Sequence, residues 1–243
     1  MLYNVKDVLA NGGLLSTVID NYEQRDGQIE MAEAIFNSYI EHKTVLINAP
    51  TGNGKSIGGL IPAILNKGYG KTIISTATKA LQSQYETKDI PMLHKILEFD
   101  SHVLKGRDNY VCISKSKENM DKIPVDIRGQ FNAWLNKTEN GDLETLDFIL
   151  PQTLKQKICS NSDECLEEEC KFKSKCFYAK NKAKAISADV LVINHDLLSL
   201  YLTIKQQSNG TSMFGDVYSV IIDEAHKLED VMTKYLGYNM NVN

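Results

Sequence analysis

Residues 49–56, Ala-Pro-Thr-Gly-Asn-Gly-Lys-Ser, limit what this chain can fold into more than any other stretch. They follow an apolar run over 44–48 and precede a helix-like segment over 57–65. Strand, glycine-rich turn and helix in that order make an anion site, because the turn's N–H groups and the helix N-terminus converge on a phosphate. Gly52 and Gly54 let the backbone close round phosphates without Cβ clashes. In the pattern GxxxxGK[ST], Lys55 reaches the β- and γ-phosphates and the Ser56 hydroxyl is a Mg²⁺ ligand. Ala49 stands where the pattern has its first glycine. The candidate nucleotide-binding residues are therefore Ala49, Pro50, Thr51, Gly52, Asn53, Gly54, Lys55 and Ser56. A plain glycine turn would account for the glycines, but not for Lys-Ser set between a strand and a helix.

A second constellation, Val-Ile-Ile-Asp-Glu-Ala-His over 220–226, puts two acids at the end of an apolar strand. Open α/β sheets bind ligands at the carboxyl ends of their strands. Asp223 is placed to hold Mg²⁺, directly or through water, and Glu224 to orient or activate the attacking water. A carboxylate pair at a strand end is also an ordinary strand-to-helix turn. The phosphate loop far upstream tips the balance to chemistry, and makes Lys55, Asp223 and Glu224 the candidate catalytic residues. His226 either couples the nucleotide to a second domain or caps a helix.

Between these two sites the pattern alternates. Helical spacing covers 28–42 and 78–87, with Pro91 interrupting before a second helical piece to residue 98. Apolar strands are expected at 44–49, 71–76, 188–194 and 217–223, with a short one at 102–105. Helices are expected at 195–205 and 224–235, with a polar loop over 206–216. Near-continuous apolar strands separated by helices predict an α/β fold, a parallel sheet covered on both faces. Residues 106–186 break the pattern, with most of the cysteines, charge alternation and no convincing strand. They read as an inserted, mainly helical small domain, with helical pieces near 127–135 and 143–158. The domains expected are thus 1–105, the insert 106–186, and 187–243 returning to the sheet.

Composition bounds the partners. Hydrophobic residues are 42% and charged residues 24%, as in soluble globular proteins. A net charge of −4 and a pI near 5.8 exclude a uniformly basic nucleic-acid binder. The start of the chain lacks a charged segment leading into an apolar core, so no signal peptide is expected. The longest apolar run, 57–65, is about half a membrane span and contains Pro62. The expectation is a cytoplasmic protein with no membrane partner.

Five cysteines occur, four of them between Cys159 and Cys176. In a reducing compartment such clustering points to metal or cluster ligation rather than disulfides. Cys165, Cys170 and Cys176, with Cys112 as a fourth thiolate, suit either a [4Fe–4S] cluster or tetrahedral zinc. Their spacing is wider than the CxxC pairs of zinc ribbons. Cys159 is a surplus that could replace Cys165 as a ligand. The acidic run 163–169 reads as a solvated face. After it Lys171, Lys173, Lys175, Lys180, Lys182 and Lys184 interleave with Phe172, Phe177 and Tyr178. Such a strip either tracks a single nucleic-acid strand or balances the neighbouring glutamates.

Together these residues resemble the DinG/XPD group of superfamily-two helicases, over roughly residues 22–228. The phosphate loop and Asp-Glu-Ala-His resemble that group's motifs I and II, which implies a RecA-like fold, ATP and Mg²⁺. Residues 22–28, Tyr-Glu-Gln-Arg-Asp-Gly-Gln, resemble its Q-motif, which assigns adenine contacts to Arg25 and Gln28. Residues 75–84 resemble motif Ia, whose hydroxyls and amides contact the DNA backbone. Residues 105–112, Lys-Gly-Arg-Asp-Asn-Tyr-Val-Cys, resemble the entry to the group's iron–sulfur domain, and 194–198, Asn-His-Asp-Leu-Leu, the motif after it. The resemblance favours the iron–sulfur cluster over zinc, makes Cys159 a free, buried thiol because the spacing of Cys165, Cys170 and Cys176 fits the DinG-like branch, and tips the lysine strip toward single-stranded DNA. Family members continue past this point into the rest of the first motor domain and a second RecA-like domain that supplies an arginine finger. The function this implies is ATP-driven 5′→3′ translocation on single-stranded DNA. This chain is expected to be the N-terminal ATP-binding portion, truncated after Asp-Glu-Ala-His, with low activity and no unwinding by itself. The rival is a non-motor module that senses nucleotide and binds nucleic acid or a regulatory partner.

Overall fold

The computed structural model describes residues 3–50, 52–207 and 212–236. The chain divides into two compact units, Met1–Val103 with Ala185–Asn243, and Leu104–Lys184.

The first unit is built on four parallel strands in the order β2-β3-β1-β4. These are β1 (Lys71–Thr76), β2 (Ser101–Val103), β3 (Val190–Asn194) and β4 (Val217–Ile222). Every residue of β1 is buried, as an apolar strand covered on both faces requires. On one face Ile74, Val103, Val190 and Val192 pack with Ile29 and Ala32 of helix Asp26–Glu41 and Leu60, Ile61 and Ile64 of helix Lys55–Leu65. Ile73, Leu191 and Ile193, which alternate with them, are equally buried on the other face. There helix His195–Gln207 packs against β1 and β3 and buries Leu197, Leu198 and Tyr201. This is the α/β, RecA-like parallel sheet that the sequence predicts.

One expected strand is not formed. Residues 43–50 carry no strand, and Val45, Leu46 and Ile47 are exposed, Leu46 to 96%. A strand exists only where a neighbouring backbone takes up its N–H and C=O groups, and among the described residues no strand pairs with this run. β4 pairs with β1 on one edge only, and Tyr218, Val220 and Ile222 are each more than a third exposed. A cavity of about 1080 Å³ lies between residues 43–49 and β4.

Smaller differences have local causes. Pro91 does not interrupt the helical stretch; it lies at the start of helix Ile90–Leu93, after a π-helical turn Tyr85–Asp89. The first turn is where a missing N–H does no harm. A 3₁₀ turn, Ala225–Lys227, precedes the final helix Leu228–Leu236. The loop expected over 206–216 lies partly outside the described residues.

In the second unit, helices Ile113–Glu118, Val125–Lys137 and Gln152–Ile158 surround a core of Val111, Ile123, Phe131, Leu143, Leu154, Ile158 and Cys159. Trp134 packs against it. The helix expected over 143–158 shrinks to a 3₁₀ turn and Gln152–Ile158, since Pro151 disfavours helical backbone in the residue before it. Lys105 Nζ is buried, 2.5 Å from Asp142 Oδ2 and 2.9 Å from Glu144 Oε2. That ion cluster ties the unit's first residues to the turn that begins at Leu143.

Candidate functional site

Gly54 takes the left-handed conformation, φ 69°, at the N-cap of helix Lys55–Leu65, and Gly52 has φ 86°. Both are shapes that glycine adopts without strain. Thr51 lies outside the described residues. Arg25 Nη1 donates to the Gly52 carbonyl at 2.7 Å and Gln28 Nε2 to the Gly54 carbonyl at 2.8 Å. The two residues assigned to adenine thus grip the phosphate loop itself. A Cβ on Gly54 would lie 2.3 Å from Gln28 Nε2, so glycine is needed here for contact as well as for φ. Asn53 Nδ2 would be 3.5 Å from a Cβ on Gly27, so it too faces the start of the Asp26–Glu41 helix.

The acids reach the loop from β4. The Asp223 N–H donates to the Ser75 carbonyl at 2.9 Å, extending the β1–β4 ladder by one residue. Glu224 then turns into the left-handed region, φ 54° and ψ 47°. A non-glycine residue there is costly unless its surroundings enforce it. Lys55 Nζ stands 3.2 Å from Glu224 Oε1 and 3.4 Å from the Ala49 carbonyl. Its hydrogen bond and charge hold the Glu224 carboxyl below the usual carboxylate range. Asp223 moves the other way: burial first, and then the Glu224 carboxylate, raise it. The surroundings thus shift the two adjacent acids in opposite directions. His226 Nδ1 is 3.6 Å from Glu224 Oε2 and well exposed.

Three residues of this site are not assigned to it by sequence: Tyr85 is not singled out, Gln84 lies in the stretch assigned to DNA, and His195 in the motif after the iron–sulfur domain. Tyr85 is fully buried. Its phenol is raised by burial, next by the Asp223 carboxylate, and lowered by a hydrogen bond with Ser56. Ser56 therefore lies within reach of this hydroxyl, which also feels the charge of Asp223. Gln84 Nε2 donates to Ser56 Oγ at 3.4 Å and to Asp89 Oδ2 at 2.9 Å. His195 bonds Ser75 at 2.7 Å in the sheet interior. Tyr85 directly follows the stretch likened to motif Ia, but only the fold brings it to the phosphate loop.

The cysteines lie in the second unit. All five are free thiols; Cys112, Cys165, Cys170 and Cys176 are partly exposed and Cys159 is buried. Burial raises the Cys112 thiol; the Lys115 and Ser114 N–H groups lower it, and Cys176 and Cys170 raise it further. The Cys112 sulfur thus feels two of the others. Among the described residues no group of three or more His, Cys, Asp or Glu side chains is close enough to hold a metal ion.

The acidic run 163–169 is exposed at every acid, and it answers some of the unit's cations: Lys173 pairs with Glu168 and Lys115 with Glu164. Tyr178 is not free to stack on a base. It is buried, with the Arg107 guanidinium 4.4 Å from its ring centroid and Tyr110 beside it. Phe177 packs on the unit's core. An aromatic next to an apolar core gains more from burial than from solvent. No helix among the described residues is long and apolar enough to cross a membrane.

The DEAD/DEAH box helicase profile matches residues 28–150 of this chain. An ATP-dependent DNA helicase, YoaA of Escherichia coli K12, is 32% identical over 97% of the chain and 38% of its own length. A 3′-5′ exonuclease, DinG of Bacillus subtilis 168, is 30% identical over 93% of the chain and 25% of its own. The ATP-dependent helicase DinG of Mycobacterium tuberculosis H37Rv is 30% identical over 86% and 35% respectively. The chain thus spans well under half the length of these relatives.

Proposed function

The chain belongs to the DEAD/DEAH box helicase family, and from that premise we propose that its first unit is the ATP-binding part of a motor that moves along single-stranded DNA. The observation that carries this is the 3.2 Å approach of Lys55 to Glu224, two residues 169 apart in sequence. It sets a phosphate-binding lysine against a carboxylate that must move to water when phosphate takes the lysine. Ser56 and Asp223 hold Mg²⁺, Arg25 and Gln28 read adenine, and Glu224 orients the attacking water. DNA lies against the exposed Thr78, Lys79 and Gln84 of 75–84, not its buried Ser75, Thr76 and Gln82, and against the exposed lysines of 171–184, without base stacking on Tyr178. Its polarity is 5′→3′, by resemblance to the DinG/XPD group.

Phosphoryl transfer at speed needs a further cation at the γ-phosphate, often an arginine worth three to five powers of ten. In this family reading it comes from a second RecA-like domain. Residues 1–243 alone therefore bind Mg·ATP, turn over slowly and do not unwind. Cys112, Cys165, Cys170 and Cys176 are the residues that would hold a [4Fe–4S] cluster. Their soft, undisulfided thiols are the donor set it takes, and the influence of Cys176 and Cys170 on the Cys112 thiol supports the grouping. When bound, the cluster supplies a covalent staple between the start of helix Ile113–Glu118 and the irregular 165–176 segment.

ATP binding and turnover, with and without single-stranded DNA, test the motor reading in the wild type and in Lys55→Ala. Slow, DNA-stimulated turnover that Lys55→Ala abolishes, with nucleotide affinity down at least tenfold from the lost charge-assisted contact, is expected. Tight binding with no turnover under any condition would favour a nucleotide-sensing module. The cluster is read by colour: anaerobically purified protein is brown if it holds iron–sulfur and colourless if it holds zinc.

A further inference from the structure

Gln84 ends the short helix Lys79–Gln84 that follows β1, and the nucleotide chemistry above gives it no role. Its side-chain nitrogen makes two contacts. Nε2 donates to Asp89 Oδ2 at 2.9 Å and to Ser56 Oγ at 3.4 Å. Gln84 itself is exposed, whereas Asp89 is 2% exposed. A carboxylate this deep needs a donor, and the Gln84 amide is one. Asp89 is therefore an anchor for Gln84, and Gln84 is the side chain that reaches the first turn of helix Lys55–Leu65.

The backbone makes this pairing possible. Residues five apart on an α-helix point about 140° away from each other. Between Gln84 and Asp89 the chain instead forms the π-helical turn Tyr85–Asp89, in which the Ile90 N–H bonds to the Tyr85 carbonyl, five residues back. The wider turn brings positions five apart toward one face, and such turns are rare and recur at functional sites. The orientation of the amide follows from its partners. An ionised carboxylate only accepts hydrogen bonds, so Asp89 selects the NH₂ group of Gln84 over its Oε1. One N–H goes to Asp89, and the other is left for Ser56. The Ser56 hydroxyl has two lone pairs and one rotatable proton. With one lone pair taken by Gln84 its rotation is restricted, and the second remains for a hard cation, which takes oxygen ligands.

We propose that Gln84 is a positioning residue for Ser56: anchored by Asp89 across the π-helical turn, its amide fixes the Ser56 hydroxyl so that one oxygen lone pair is kept for Mg²⁺. This rests on the Mg·ATP reading of the site. It also puts the end of the stretch assigned to DNA in direct contact with a residue assigned to the metal. Groups that orient a metal's ligands typically contribute tenfold to a hundredfold in affinity or activity.

The test is calorimetric titration of ATP into the full 243-residue chain, in Mg²⁺ and in EDTA, and the quantity read is the ratio of the two affinities. The wild type and Ser56→Ala decide the underlying reading. If Mg²⁺ does not strengthen wild-type binding, or Ser56→Ala leaves the ratio unchanged, the Mg·ATP reading fails and this proposal with it. If both behave, Gln84→Met, which keeps the length and loses the amide, should cut the ratio about tenfold. Asp89→Asn, whose own amide lets Gln84 turn either way, should cut it by less. Because Asp89 acts through Gln84, Asp89→Asn should change the ratio no further in the Gln84→Met background. A ratio that Gln84→Met leaves at or above the wild-type value, with or without an equal loss of affinity in both buffers, overturns the positioning role. So does a further fall in the ratio when Asp89→Asn is added to Gln84→Met.

Discussion

At the scale of single residues, the site is held in a state that opposes its own ionisation. Asp223 is buried beside a second carboxylate, and its carboxyl is raised for those two reasons in that order. The sign of the consequence is definite. Below the ordinary carboxylate value, 3.8, folded and unfolded chains both hold the proton and Asp223 costs nothing. As pH climbs, the unfolded chain releases its proton first, so stability is lost through the window up to the raised folded value and stays lost at neutrality. Asp223→Asn keeps the shape and removes the charge. Without nucleotide or Mg²⁺ it should melt higher than wild type at pH 7, by an amount on the order of 2 °C. The gain should vanish near pH 3.5, and so should any Mg²⁺ dependence of ATP binding in the variant. Melting curves across that range decide it, and an Asn variant no more stable than wild type at pH 7 would sink it. The neighbouring Glu224 is stabilised by Lys55 instead, so the two acids cannot be exchanged.

At the scale of elements, the contrast between β1 and residues 43–50 explains what a sequence can and cannot reveal. Both are apolar runs, and both read as strands. β1 has partners on both edges, and among the described residues 43–50 has none, so a similar local signal gives a buried strand in one place and an exposed, unpaired segment in the other. Pairing is non-local, and a run of Val, Leu and Ile records only that a strand is welcome there. The phosphate loop was legible because its chemistry lies in one contiguous stretch: Gly52, Gly54, Lys55 and Ser56. Asp223 and Glu224 were legible as a strand end. Tyr85, Gln84 and His195 were not, because each enters the site through packing between distant elements, with no spacing to announce it. Tyr178 is the opposite case. Its spacing among lysines fits a nucleic-acid strip, but it is buried beneath Arg107.

The same lesson gives a prediction for Lys105, which the family resemblance singled out only as part of a motif. Its ammonium and the Asp142 carboxylate are both almost wholly buried, Glu144 less so. Burial pulls the Lys105 pKa down and the bonds to Asp142 and Glu144 push it up, with a net rise. A raised lysine gives stability that is complete below its unfolded value, 10.5, and lost as pH rises through the folded one. The unit's stability should therefore be flat through neutrality and fall only in strong alkali. Lys105→Met strands Asp142 as an uncompensated buried charge, which costs about 3–5 kcal/mol. Adding Asp142→Leu should restore much of the loss, because a buried pair replaced by apolar groups is often neutral. Denaturant titration of the single and double variants measures both steps, and a Met variant as stable as wild type would refute the burial of this pair.

At the scale of the whole molecule, each compact unit has its own apolar core and its own candidate ligand: nucleotide in the first, a metal group in the second. A single melting temperature is then not a well-defined property of the chain. A ligand that binds only the folded form stabilises what it binds by RT ln(1 + [L]/Kd), about 2.7 kcal/mol at a hundredfold excess over Kd. For a unit of this size that is a rise of about 5–10 °C. Differential scanning calorimetry of the anaerobic protein should accordingly show two transitions that answer to different perturbations. Mg·ATP should raise one by that amount, and Lys55→Ala should cancel the rise. Cys112→Ser, or air oxidation that bleaches the visible colour, should lower the other and leave the nucleotide-dependent rise intact. A four-thiolate site forms only in the folded unit, so its binding energy is folding energy, and the second loss should be the larger. One transition that moves as a whole with both ligands would mean that the two units unfold together. A second transition indifferent to Cys112→Ser would remove the cluster from that unit.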